Sequence, residues 1–285
     1  MAFEPAIIVT RPSGQARRLI ELLESGAQER AFPVRLVSLP LLTIVPKNDP
    51  DVQKKLLSSF ATAKLIIFIS PNAIECAMRA IADAGTSWQK LVQGHTLVGV
   101  VGGASKEALI RHGVDEKSII LPQSPHFDSE GLWSSLKNEV QDWKNLPVTL
   151  VKGDGGRESL IEHLRGAQAS LESLSIYTRI PLDHSSPYWQ SLVGLDVNHT
   201  LWLLTSSEAV RHLGVISQQQ KELLSPSISK GFALCSHVNI ATTAEQIGFT
   251  QVSVCDSGDE SITQAALEWL AKQVKKSPSP TKGDH

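Results

Sequence analysis

Nine short apolar runs, many of them β-branched, punctuate this chain, and they restrict its fold more than any other feature. They are Ala6–Val9, Val34–Val37, Leu65–Ile69, Thr96–Val101, Ser118–Leu121, Thr149–Val151, Leu201–Leu204, Gly231–Cys235 and Gln251–Val254. Most are nearly continuous rather than alternating, the pattern of strands covered on both faces. Between them lie segments with helical period. Ala16, Leu19, Leu22 and Leu23 share one helical face, as do Leu132, Leu136, Val140 and Trp143, and as do Ile262, Ala265, Trp269 and Leu270. Strand–helix alternation of this kind predicts an α/β fold, with parallel sheets sandwiched between helices.

The alternation is also repeated. Leu65–Ile69 runs into Ser70-Pro71-Asn72-Ala73-Ile74, and Leu201–Leu204 runs into Thr205-Ser206-Ser207-Glu208-Ala209-Val210. Each reads as strand, serine, helix start. The helix after Val98–Ser105 ends in Gly113-Val114, and the helix after Ala233–Asn239 ends in Gly248-Phe249. Ser129-Glu130-Gly131-Leu132 has its partner in Asp259-Glu260-Ser261-Ile262. Ile8-Val9-Thr10-Arg11-Pro12 before one Leu-rich helix matches Leu150-Val151-Lys152-Gly153 before another. Four matches in one order imply two similar α/β halves of ordinary domain size.

With 285 residues and 41% hydrophobic content the chain can bury the cores of about two domains. Its net charge of −2 lacks the basic excess of a dedicated nucleic-acid binder. Cys76, Cys235 and Cys255 are far apart and odd in number, which fits reduced thiols rather than a disulfide framework or a metal site. No stretch approaches the roughly 20 apolar residues of a membrane span, and the N-terminus lacks the basic flank of a signal peptide. A cytoplasmic protein is expected, with a disordered tail over residues 276–285, which are rich in Pro, Ser and charge.

In open parallel sheets ligands bind beyond the carboxyl ends of the strands. The residues there include Thr10, Arg11, Ser70, Asn72, Ser105, Lys152, Gly153, Gly156, Arg157, Thr205, Ser206, Ser207 and Asn239. The set is rich in Ser, Thr, Gly and basic side chains and poor in His, Cys and carboxylates. With helix N-termini nearby it suits an anion, and not a metal centre or a hydrolase triad. Lys152-Gly153-Asp154-Gly155-Gly156-Arg157 is the strongest single element, although neither a Walker loop nor a GxGxxG loop. Its plain alternative is a glycine-rich turn. Ser70, Asn72, Ser206 and Ser207 can equally serve as helix caps. Tyr177, one of two tyrosines, is a packing residue or a proton donor.

Taken together these segments resemble the uroporphyrinogen-III synthase family. The resemblance rests on Val9-Thr10-Arg11-Pro12 with Gln15-Ala16, Leu39-Pro40-Leu41, Ile69 to Ile74, Val101-Gly102 with Ser105, and Ser129 to Leu132. It continues through Gly153 to Arg157 with Leu160, Tyr177 with Arg179, and Thr205 to Ala209, and it covers residues 6–272. Two positions depart from it. Ser105 stands where the family often has Thr, and Asn239 stands where many bacterial members carry a basic residue, so a charge contact there is not implied.

The resemblance implies two flavodoxin-like or Rossmann-like α/β domains with parallel sheets, joined by a two-stranded linker, with the active site in the cleft. The expected division is 1–37 plus 177–275 for one domain and 40–173 for the other, with extended crossings near residues 36–41 and 173–180. The implied substrate is hydroxymethylbilane, closed to uroporphyrinogen III with inversion of ring D and loss of water, without cofactor or metal. Tyr177 would protonate the departing hydroxyl, and Arg11, Lys152 and Arg157 would anchor carboxylates. A monomer is expected, touching hydroxymethylbilane synthase at most transiently and binding neither nucleic acid nor membrane. A two-lobed binding protein for an anionic small molecule, without catalysis, is the alternative. A flavin- or nucleotide-binding domain pair is a more distant one, resting on fold analogy alone.

Overall fold

The structure, a computed structural model, describes residues 4–92, 94–122, 128–155 and 158–276. In chain order the first half contains β1 (Ala6–Val9), α1 (Ser13–Glu29), β2 (Arg35–Ser38), β3 (Leu42–Pro46), α2 (Pro50–Thr62), β4 (Leu65–Phe68), α3 (Pro71–Asp83), α4 (Trp88–Leu91), β5 (Leu97–Val100), α5 (Gly103–Arg111), β6 (Ile119–Ile120) and α6 (Ser129–Glu139). The second contains β7 (Pro147–Gly153), α7 (Glu158–Gly166), β8 (Ser170–Pro181), β9 (Thr200–Leu204), α8 (Ser207–Gln219), α9 (Lys221–Lys230), β10 (Phe232–Cys235), α10 (Val238–Gln246), β11 (Gln251–Val254) and α11 (Asp259–Lys276). All nine expected strands are present. No helix among the described residues is long and apolar enough to cross a membrane.

The chain divides into two compact units. One holds residues up to Thr43 together with those from Ile180 onward, and the other holds Ile44–Arg179. The first has a sheet ordered β11-β10-β9-β1-β2, with every paired neighbour parallel. This is the doubly wound order of flavodoxin-like folds. The second has the order β3-β8-β7-β4-β5-β6, parallel from β8 to β6. Its edge strand β3 is antiparallel to β8. Leu182 N donates to Leu41 O and Lys47 N donates to Ile176 O, each at 2.9 Å, so the two strands number in opposite directions.

Each sheet is buried on both faces by strict alternation. In the first, Ile8, Trp202, Leu204, Ala233 and Cys235 pack with α8, α9 and α10, while Ile7, Val9, Leu201, Leu203 and Leu234 pack with α1 and α11. In the second, Ile66, Phe68, Val98, Val100 and Val151 pack with α2, α3 and α5, while Leu65, Ile67, Val148 and Leu150 pack with α6 and α7. Cys235 packs in the cluster on one face of the first sheet and Cys255 against the cluster on the other. All three cysteines are free. Burial pushes the Cys235 thiol up to about 12.

The repeat extends to helix ends. Ser70 caps α3 by accepting from Ala73 N at 3.2 Å, and Ser206 caps α8 by accepting from Ala209 N at 3.3 Å. α5 and α10 both close with a left-handed glycine, Gly113 at φ 77° and Gly248 at φ 112°. In each, the glycine N–H reaches back three residues (Gly113 to Ile110, Gly248 to Glu245). The next N–H reaches back five (Val114 to Leu109, Phe249 to Ala244). This is the Schellman pattern. The topology adds what the repeat alone does not contain. The chain runs as a βαβ pair, a three-strand segment, a second pair and a second three-strand segment. Each sheet combines the pair from one repeat with the three strands of the other.

Two expectations change. The helical face drawn through Val140 and Trp143 stops at Glu139, because Val140 is extended (φ −106°, ψ 110°) and Asp142 starts a turn by accepting from Lys144 N. Trp143 instead folds back onto Trp133, ring centroids 4.8 Å apart. Lys276 ends α11, while the rest of the tail expected to be disordered, residues 277–285, lies outside the described residues.

α1 and α7 end on the left-handed residues Ala31 (φ 52°) and Gln168 (φ 62°), both exposed. A left-handed L-residue costs about 1–2 kcal/mol, more than the roughly 0.5–1 kcal/mol entropic penalty of glycine. Ala31→Gly and Gln168→Gly should therefore each stabilise the chain by up to about 1 kcal/mol. Urea unfolding checks this, and a lower midpoint in both variants would refute it.

Candidate functional site

A doubly wound sheet diverges where successive connections leave in opposite directions, and a crevice opens there beyond the strand ends. In the second unit that point lies between β4 and β7, and in the first between β9 and β1. Four of the residues flagged by sequence flank the first crevice: Ser70 follows β4, Lys152 and Gly153 close β7, and Tyr177 stands on the neighbouring β8.

Three of these meet. The Tyr177 hydroxyl is 2.9 Å from Ser70 Oγ, and the tyrosine ring is buried, only 3% exposed. Ser70 thus holds both the α3 cap and the phenol. The ring lies flat against Gly153, where a Cβ would come 2.6 Å from ring carbons. Glycine is required at this position by close approach. A β-bulge creates the arrangement. Lys152 pairs with Ser175, but Gly153 pairs with Tyr177, so Ile176 is the extra residue. Regular alternation would send Leu174 and Ile176 to one face and Tyr177 to the other. After the bulge all three join the same hydrophobic cluster.

Sequence reasoning missed the polar group beside this trio. The Asp154 carboxylate accepts from Lys47 Nζ at 2.5 Å, Ser175 Oγ at 2.6 Å and Thr178 Oγ1 at 2.7 Å. Its N–H donates to Tyr177 O and its carbonyl accepts from Arg179, both at 3.0 Å. These bonds, the Lys47 bond foremost, hold the carboxyl well below the usual aspartate range. The Arg179 guanidinium lies 6.0 Å from the Tyr177 ring centroid. Lys152 Nζ donates to Gly155 O, across a turn that Gly155 makes at φ 73°. Gly156 and Arg157 lie outside the described residues. The signal for Asp154 was its place between two glycines, but partners 21 to 107 positions away carry no local pattern.

The remaining candidates are scattered more widely. Asn72 lies in the first turn of α3, partly exposed. Ser105 is buried in the first turn of α5, whose cap position is Gly102. In the first unit Thr10 is buried, and its hydroxyl donates to Leu203 O at 2.6 Å, tying β1 to β9 at the crevice. Arg11 is ion-paired with Asp259, the first residue of α11, and both side chains are largely buried. Thr205, Ser206 and Ser207 form the partly exposed start of α8. Asn239 is exposed, and its N–H donates to Nδ1 of His237, which caps α10.

The strand ends at the switch point of the second unit therefore bring together a buried phenol paired with a serine, a helix N-terminus, a lysine and a glycine turn. Such a group can hold a carboxylate on backbone N–H groups and lysine, and move a proton through the phenol.

Replacing Gly153 with Ala should force the Tyr177 ring away. The expected loss is about 1–3 kcal/mol by urea unfolding, and wild-type stability would refute the contact. Asp154 gives a pH signature. Because its folded pKa is depressed, its contribution is present above the unfolded value of about 3.9 and is lost as pH falls through the folded one. The stability gap between wild type and Asp154→Asn should be flat from neutral pH to about 4.5, then close with further acid. A gap that widens on acidification would overturn this.

Comparison with known proteins places these features. The family described as uroporphyrinogen-III synthase HemD matches residues 13–261. The chain is 24% identical over 182 residues to the uroporphyrinogen-III synthase of Proteus mirabilis, covering 64% of this chain and 83% of that one. In fold it is similar to a mutant uroporphyrinogen III synthase from Thermus thermophilus, with TM-score 0.58 and 14% identity over 94% of this chain and 99% of that one. It is also similar to uroporphyrinogen-III synthetase from Helicobacter pylori, with TM-score 0.56 and 12% identity over 93% of this chain and 99% of that one.

Proposed function

The chain belongs to the uroporphyrinogen-III synthase family, and we propose that it closes hydroxymethylbilane to uroporphyrinogen III through the Tyr177 crevice of its second unit. It is a hydro-lyase of porphyrin biosynthesis acting on a tetrapyrrole. Its own residues divide the work between proton transfer and holding the substrate.

The bilane carries its leaving hydroxyl on a pyrrole-linked carbon. Proton transfer to that hydroxyl releases water and leaves an azafulvene electrophile. The substituted carbon of ring D attacks it, and the spiro product fragments and recloses with ring D inverted. Tyr177 donates the proton. Lys152, the N–H groups at the start of α3 and the Lys152–Arg157 loop hold carboxylates, each helix-end contact worth about 0.3–1 kcal/mol. The substrate is already reactive, so the protein contributes mainly orientation, bringing the substituted carbon rather than the free one to the electrophile. The chain works as a monomer in the cytoplasm, meeting hydroxymethylbilane synthase only transiently.

One observation carries this reading at residue level. Tyr177 is the tyrosine whose hydroxyl stands at the carboxyl end of a doubly wound sheet, beside a helix N-terminus and 2.9 Å from a serine hydroxyl. The test is an isomer assay on freshly prepared hydroxymethylbilane, with the products oxidised and the type I and type III uroporphyrins separated. Mostly type III is expected. Type I alone, at the uncatalysed rate, would sink the reading. Tyr177→Phe should lower turnover by about 10²–10⁴-fold, and near-normal turnover would remove Tyr177 as the acid.

A further inference from the structure

We propose that Asp154 is the positioning residue for Tyr177, holding its phenol at the crevice; the kinetic half of this inference rests on the function proposed above. A bulge interrupts the β-ladder and leaves an extra residue unpaired. Here the bulge at Ile176 lies next to the tyrosine it re-aims. The ladder resumes at Tyr177, which pairs with Gly153, but the bulge breaks its regular register just before the ring, where side-chain bonds can add to it.

Asp154 does so from both sides. It bonds Ser175 before the tyrosine, Tyr177 itself through the backbone, and Thr178 and Arg179 after it. It also binds Lys47, the residue following β3, whose own N–H donates to Ile176 O, the carbonyl of the bulged residue. One carboxylate therefore ties the residue after β3, the end of β7 and the middle of β8 together beside the phenol. Removing the carboxylate releases Lys47, Ser175 and Thr178 together, while the backbone bonds of Asp154 to Tyr177 and Arg179 stay. Nothing places the carboxylate itself on the reacting atoms, so its effect on chemistry passes through Tyr177.

The chain has only Tyr177 and Tyr188 as tyrosines, and Tyr188 is exposed. Full-length protein labelled with ¹³C at the tyrosine Cζ therefore gives two resonances, and Tyr188→Phe identifies that of Tyr177. Asp154→Ala should shift or broaden the Tyr177 resonance and leave that of Tyr188 in place. Ser175→Ala combined with Thr178→Val should act in the same direction with the aspartate present. An unmoved Tyr177 resonance in folded Asp154→Ala overturns the proposal, whatever the chemistry.

In the isomer assay Asp154→Ala should lower kcat about tenfold or more with KM changed less than about threefold. Asp154→Asn, which keeps one acceptor oxygen, should recover part of that loss. In a Tyr177→Phe background the Asp154→Ala step should cost less than about twofold, because its target is already gone. Losses that multiply in the double variant overturn the proposal. If wild-type protein makes no type III product, the functional reading fails while the resonances still decide whether Asp154 positions Tyr177.

Discussion

A parallel sheet has to be covered on both faces, because its strands carry apolar side chains above and below and its crossovers are helices. That constraint organises this molecule. Trp202 and Leu201, adjacent in sequence, are both under 2% exposed and look into opposite layers. With both faces closed, polar groups can meet a ligand at the strand ends. The doubly wound order opens a crevice there, and in the second unit Ser70, Lys152, Gly153 and Tyr177 flank it.

Within that frame the Tyr177 region depends on a departure from regularity. A continuous ladder through β7 and β8 would have turned the phenol away from Ser70. The bulge turns it toward Ser70, Gly153 makes room for the ring, and Asp154 adds side-chain bonds to the ladder. Among the described residues the first unit has no such group on the corresponding strand, β2. There Thr10 gives its hydroxyl to Leu203, and Leu41 bonds back to Thr10. The repeat is thus preserved in topology and in helix caps while its two crevices have become chemically different.

The apolar runs made nine strands legible, and serines followed by helix periodicity marked the two caps. β8 was read only in part, as extended linker over residues 173–180, and β3 lies just past the other crossing, read at residues 36–41. β8 is mostly polar along its first half, Ser170 to Ser173, and β3 is a five-residue edge strand ending at Pro46, so neither shows the buried-strand pattern. The bulge left no trace in sequence, since one extra residue changes register and not composition. Thr10 illustrates the same limit at the site. A threonine beyond a strand end can face a ligand or the neighbouring carbonyl, and only the β1–β9 pairing, formed by residues nearly 200 positions apart, decides between them.

The exchange of segments between the repeats also bears on how the chain is made. The unit Ile44–Arg179 is one continuous stretch and can close as soon as it has been synthesised. β1 and β2 emerge first, yet their neighbour β9 begins at Thr200 and the sheet is complete only at Val254. At roughly 5–20 residues per second the ribosome takes about 10–40 s to supply those partners. During that interval the earliest segment carries an apolar strand pair with no sheet to join. β1 and β2 are thus folded only after segments made well after them, and protecting them in the meantime falls to the cell.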